Sequence, residues 1–349
     1  MREIISWGYG NMGSMAFWVD LKSDSKENQP EAVMNFNLWT QCGKAKEPPF
    51  LDIGFIISNI FSADKFHFYV PFGKKTDVFD LSNLINNTTA IGAIFNEKYS
   101  VIDLSETKCL WPVRDETKEE TEFVIYKWPT SENESAVRIR EIGGNQGVCI
   151  DIDPKKIESE VDRLGNSKIA KKDKFYFRFR VMLPVPTVSD SLVRKYTPAN
   201  TFLQSTFATT YIVDFRLNDI RSLPDTISSV VIQRSTEFVK ITKLHFLLMT
   251  KAFVDVETGT NALTIRELEL NTWDNYIEKK FDTKDVVAYH CAVKEPTRKW
   301  EFFAKLKVNN SSFKVAFWYL VVLGFITVGF NLLSSWLFEL LQSALCHLP

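Results

Sequence analysis

Histidine and cysteine are scarce in this chain: four and five residues respectively out of 349. Cys42, Cys109, Cys149, Cys291 and Cys346 are odd in number, widely scattered and form no C-x-x-C pair. That pattern excludes a disulfide framework and a cysteine-only zinc ribbon, and it points to a reducing compartment. His67, His245, His290 and His347 stand apart from one another in sequence, the first two inside apolar runs where a packed imidazole is the expectation. Excess charge of one sign is also lacking. Against 43 Asp and Glu there are 42 Lys and Arg, a formal net charge of −1, so no overall field marks a nucleic-acid binder. No G-x-x-x-x-G-K-[ST], G-x-S-x-G or H-E-x-x-H occurs, which removes the commonest signatures of nucleotide hydrolysis, serine esterases and zinc proteases. The opening residues MREIISWGYG carry no uninterrupted apolar run of the secretory kind.

What the chain does have is phenylalanine, 28 residues of it, and period-two alternation. In KFYFRFRVML, Phe175, Phe177, Phe179 and Val181 alternate with Tyr176, Arg178, Arg180 and Met182, predicting a strand with one buried face. Similar runs fall at 66–72, 122–128, 136–142, 147–153, 211–217 and 263–270, separated by turn formers such as EIGGNQG and VETGTN. Helical periodicity is best at 154–174, a charged stretch that reads as a linker. A weak internal echo, DKFHFY at 64–69 and DKFYFR at 173–178, favours a cut there. The expected fold class is therefore mainly β. Two tandem β-sandwich-like domains (1–155 and 174–310) are joined by a linker (156–173) and followed by one transmembrane helix (315–338) and a short tail (339–349).

The tail carries the strongest signal. Residues 315–338, VAFWYLVVLGFITVGFNLLSSWLF, contain no charge. As a helix they rise about 36 Å, enough for a hydrocarbon core of about 30 Å. Trp318 and Tyr319 lie near one end and Trp336 near the other, as interfacial anchors do. Arg298, Lys299, Lys305, Lys307 and Lys314 precede the span, which by the positive-inside rule keeps the amino-terminal part in the cytoplasm, as in a tail anchor. Polar and small residues share one stripe: Gly324, Asn331, Ser335 and Gln342, flanked by Thr327 and Ser334 on one side and Glu339 on the other. Such a stripe favours association between copies, because amides and hydroxyls in lipid seek partners on a second helix.

Three other stretches are weighed against this. Gly8, Gly10 and Gly13 in SWGYGNMGSM have the G-x-G-x-x-G spacing, and Gly10-Asn11-Met12 followed by Gly13 resembles the phosphate loop of pyrroline-5-carboxylate reductases. The resemblance implies a bound NAD(P) and a helix opening at the pyrophosphate, with an acidic residue about 20 positions on. The following sequence gives at most two or three helical turns before a run of charge and proline, and the next strand candidate, AVMNFNLWTQ, ends without Asp or Glu, so we read the stretch as a turn and expect no cofactor. His290-Cys291 are adjacent and so should point to opposite faces of a strand rather than act together. Tyr176, Arg178 and Arg180 make the best candidate surface for a nucleotide-like ligand or a cytoplasmic protein. The expected function is non-enzymatic: a cytoplasmic β-rich module that registers a ligand or partner, on a self-associating membrane helix. That layout is similar to the membrane effectors of prokaryotic antiviral systems. The alternatives are a membrane-tethered adaptor and an NAD(P)-dependent oxidoreductase.

Overall fold

Alternating apolar residues dictate strands over most of the chain, and the computed structural model forms them. It describes residues 13–22, 28–42, 48–85, 88–95, 99–103, 109–113, 123–128, 135–143, 146–163, 172–185, 191–196, 208–233, 236–259, 263–269, 272–277, 281–309 and 313–346. In chain order the first strands are β1 (Ala16–Leu21), β2 (Glu31–Trp39), β3 (Phe50–Ser58), β4 (Ala63–Val70), β5 (Val78–Asp80), β6 (Ser100–Asp103), β7 (Cys109–Val113), β8 (Val124–Tyr126), β9 (Val137–Glu141) and β10 (Val148–Ile152). They are followed by β11 (Phe175–Met182), β12 (Val193–Tyr196), β13 (Ala208–Leu217), β14 (Thr236–Phe238), β15 (Lys240–Lys251), β16 (Val254–Thr258), β17 (Thr264–Glu267), β18 (Val286–Val293) and β19 (Trp300–Asn309). The α-helices are α1 (Thr88–Phe95), α2 (Pro154–Arg163), α3 (Asp225–Val231), α4 (Asp274–Ile277) and α5 (Phe313–Cys346). Every strand run named from the sequence coincides with a strand.

Three sheets result. The largest runs β17-β18-β15-β2-β3-β11-β8-β7-β6, with β5 also paired to β11; the others are β14-β1-β4-β10-β9 and β12-β13-β19-β16. One face of the large sheet packs on both smaller sheets through phenylalanine rings. Phe55 on β3 lies 5.2 Å from Phe17 on β1, Phe36 on β2 lies 4.7 Å from Phe215 on β13, and Phe246 on β15 lies 4.5 Å from Phe302 on β19. The two smaller sheets meet where Met15 bridges Leu217. Asn218, in the left-handed region at φ 60°, fastens that seam: its Oδ1 accepts from Phe17 N (2.8 Å) and its Nδ2 donates to Arg298 O (2.6 Å).

Two expectations change here. Two of the three sheets combine strands from both sides of residues 156–173, since β2 pairs in parallel with β15, β1 with β14, and β3 with β11, while the β12-β13-β19-β16 sheet lies wholly after that segment. A division at 156–173 therefore cuts through two of the sheets. The described part of that segment is α2, an amphipathic helix whose Ile157 and Val161 are buried against the core, rather than a solvated linker. The periodicity of 154–163 was legible, but which apolar surface it would cover was not.

The second change concerns β11. Both its faces are covered. Phe175, Phe177 and Phe179 enter the main core, whereas Tyr176, Arg178 and Arg180, read from alternation as one exposed face, are also buried. The covering layer over that far face includes α4 and the cluster of Trp39, Phe50, Trp273, Tyr276 and Phe281, with a second cluster of Ile91, Tyr99, Phe123 and Ile125 around Tyr176. Charged residues on alternate positions normally signal solvent; here they signal an internal ion pair.

Candidate functional site

The helix α5 is the most distinctive feature. Its segment Phe317–Ser343 is long and apolar enough to cross a membrane, and none of it is buried by the rest of the chain. Phe325 and Phe330 are 76% and 70% exposed, a state that water penalises by roughly 1.5–3 kcal/mol per large apolar side chain and that lipid does not. Within the stripe, Thr327 Oγ1 donates to Leu323 O (2.8 Å) and Ser335 Oγ to Asn331 O (3.0 Å). These hydroxyls are thus satisfied inside their own helix. Among the described residues, the carboxamides of Asn331 and Gln342 have no such partner. Eleven positions apart, they lie three helical turns from one another on one face, with Gly324 and Ser335 beside them and Ser334 on the flank.

Tyr176, Arg178 and Arg180 come together in an internal network rather than a ligand surface. Arg180 grips Asp52 with two bonds, Nε to Oδ1 at 2.7 Å and Nη2 to Oδ2 at 3.1 Å, the two side chains being 1% and 0% exposed. Tyr276 donates to Asp52 Oδ2 (2.9 Å) and accepts from Arg178 Nε (2.6 Å). Arg178 Nη1 donates to Tyr176 (2.9 Å), and its Nη2 reaches Asn37 Oδ1 (2.8 Å) with that carboxamide turned so that Nδ2 donates to Phe36 O. The Arg180 guanidinium lies 4.2 Å from the centroid of the Phe50 ring, which faces a cation otherwise lacking a bond at Nη1. Burial raises the Tyr276 hydroxyl against the pull of Arg178, keeping it a neutral donor. Gly54 makes room for this assembly: a Cβ there would sit 2.4 Å from the Tyr176 hydroxyl. Asp52 and Tyr276 were not singled out from sequence. Asp52 had a signal, a lone acid in the apolar run FLDIGFIIS; Tyr276 had none.

A second polar cluster lies on the face of the β14-β1-β4-β10-β9 sheet turned away from the main core. Asp151 on β10 is the direct cross-strand partner of His67 on β4, and Trp18 on β1 is its partner on the other side. His67 Nδ1 meets Asp151 Oδ1 at 2.7 Å and its Nε2 meets Asp20 Oδ2 at 3.1 Å, while the Trp18 ring stacks on the imidazole at 5.0 Å. Cys149 Sγ donates to the same Asp151 Oδ1 (3.3 Å); Arg140 Nε and Lys65 Nζ approach Oδ2 (3.4 and 3.7 Å). Burial works against a charged His67, but the bonds to Asp151 and Asp20 outweigh it and raise its pKa. Burial likewise opposes Asp151, which His67, Arg140 and Lys65 nonetheless hold well below the usual carboxylate range. Burial, reinforced by Asp151, pushes the Cys149 thiol far up.

The histidines read as isolated are not all so. His245 and His290 stack with ring centroids 5.1 Å apart, Nδ1 of the first bonding Nε2 of the second at 2.8 Å. They sit on neighbouring strands β15 and β18, diagonal to each other by two register positions on one face, a proximity that sequence separation hides. Burial and His290 depress His245 to about 4, with Lys243 and Lys294 adding to the effect. His290 and Cys291 do point apart, Cys291 entering the main core. A surface groove lined by Lys74, Asp77, Glu141 and Met182 opens beyond the end of β11.

Gly8 and Gly10 lie outside the described residues. From Gly13 onward the chain is extended: Met15 N donates to Arg216 O (2.9 Å), Asn218 N to Met15 O (2.7 Å), and β1 begins at Ala16. A strand thus stands where a dinucleotide loop needs the first turn of a helix. Against known proteins, the chain matches no family model and no curated sequence.

Proposed function

We propose that this chain is a single-pass membrane protein whose β-rich body is held at the cytoplasmic face and whose copies associate through the Asn331 face of α5. The observation that carries the reading is the uncovered helix: 27 residues from Phe317 to Ser343, none of them buried by the body. At about 1.5 Å per residue it spans roughly 40 Å, which exceeds the hydrocarbon core and leaves room for tilt. The unpartnered carboxamides of Asn331 and Gln342 supply the reason for association, since a second copy offers each a hydrogen bond worth about 0.6–2 kcal/mol in lipid. The basic residues between Arg298 and Lys314 support a cytoplasmic body.

Fractionation tests the reading. Full-length protein should stay in the pellet after alkaline carbonate treatment, and protease added outside intact cells or spheroplasts should spare the body. Recovery in the soluble fraction would overturn the proposal. A tethering scaffold is the plainest form of this function. Loss of membrane potential on overexpression, abolished by Asn331→Leu with Ser335→Leu, would extend it to an effector acting on the bilayer.

A further inference from the structure

We propose that His67, Cys149 and Asp151 form a binding site for a zinc-class divalent cation that clamps β4 to β10. One imidazole nitrogen, the thiol sulfur and one carboxylate oxygen lie within 4.8 Å of one another, and all three residues are buried. A nitrogen, a sulfur and a carboxylate oxygen are the donor types zinc takes, and bond lengths of about 2.0–2.3 Å in a tetrahedron place such donors roughly 3.3–3.7 Å apart. The Nδ1–Oδ1 and Sγ–Oδ1 separations of 2.7 and 3.3 Å are hydrogen-bond distances, so the cation enters where protons now sit, with an opening of about half an ångström.

The remaining contacts prepare the three donors for that exchange. His67 Nε2 is held by Asp20, the carboxylate–histidine arrangement that fixes the imidazole with Nδ1 turned to the site. Arg140 and Lys65 occupy Oδ2 of Asp151 and leave Oδ1 to His67 and Cys149. A bound cation takes His67 through a bare Nδ1 and Cys149 as the thiolate, so binding is expected to release protons. Trp18 stacks over His67 and Cys149 is fully buried, and with three protein donors the fourth tetrahedral position falls to a water molecule.

Cobalt(II) is the probe. Full-length protein in detergent, stripped with EDTA and titrated at pH 7.5, should bind one Co(II) per chain. Binding should show a thiolate-to-cobalt charge-transfer band, release protons, and be reversed by Zn(II). Cys149→Ser should abolish the band; Cys42→Ser and Cys291→Ser, remote thiols in the core, should keep it. Should Cys149→Ser fail to fold, Asp20→Asn at the partly exposed rim keeps all three donors and should weaken binding about 10–100-fold. No band in folded wild-type protein would overturn the proposal, as would a band that survives Cys149→Ser or an affinity unmoved by Asp20→Asn.

Discussion

Replacing Asp52 with asparagine removes the carboxylate that, among the described residues, is bonded into the network of two buried guanidinium groups. Arg180 loses both of its bonds to an anion, Tyr276 exchanges a charged acceptor for a neutral one, and Arg178 keeps its charge with its partner Tyr276 no longer bonded to an anion. Because Arg180 and Asp52 are 1% and 0% exposed, water cannot take over. Breaking a buried pair from one side costs about 3–5 kcal/mol, against a total stability of about 5–15 kcal/mol. With an unfolding entropy of about 2.1 cal/mol/K per residue, a body of about 300 residues loses roughly 5–8 °C of Tm for that amount. The assay is thermal unfolding of full-length protein in detergent, followed by tryptophan fluorescence. Asp52→Asn combined with Arg180→Met, which takes away one of the two stranded charges and fills its space with apolar atoms, should recover part of the loss. A Tm within about 1 °C of wild type for Asp52→Asn alone would refute the reasoning, because it would mean that the network is hydrated or that its charges are not coupled.

Gly54→Ala should cost about 1–3 kcal/mol, since the methyl group meets the locked Tyr176 hydroxyl at 2.4 Å, and the cost should shrink in a Tyr176→Phe background, as urea melts can show. His245 titrates in the folded protein at about 4, below its unfolded value near 6.5. Its contribution is therefore complete above pH 6.5 and lost as pH falls toward 4. Subtracting the stability–pH curve of His245→Gln from that of wild type should isolate this slope; parallel curves would contradict it. The double variant Asn331→Leu with Ser335→Leu should remain in the membrane yet weaken helix association by about 1–3 kcal/mol, measured by dilution in detergent, while Val322→Leu on the opposite face should change nothing.

Strands were the most legible part of this sequence because alternation is local: each apolar residue in AVRIREI or GVCIDID marks one side of a pleat. The apolar tail was legible for the same reason. Sheet membership was not, because nothing in AVMNFNLW specifies that it lies in parallel register with residues more than 200 positions on. Arg178 and Arg180 misled for a physical reason. Alternation reports which residues differ from their neighbours, and a strand covered on both faces can carry its ion pair on the second one. The His67 cluster draws one polar residue from each of three apolar strands, His67, Asp20 and Asp151, and only the pairing of β1, β4 and β10 gathers them. Each was visible alone as a polar interruption; their convergence is a property of register.

The most direct measurement of the central claim is a disulfide scan along α5 in native membranes, in protein carrying Cys346→Ala. Single cysteines introduced as Asn331→Cys, Ser335→Cys and Gln342→Cys should cross-link copies on mild oxidation, whereas Val322→Cys and Leu333→Cys, about 160–180° around the helix at 100° per residue, should not. Cross-linking that follows this helical period places the Asn331 face between copies. Equal cross-linking at all five positions, or none in protein that pellets with the membrane, would contradict the association claimed for this face.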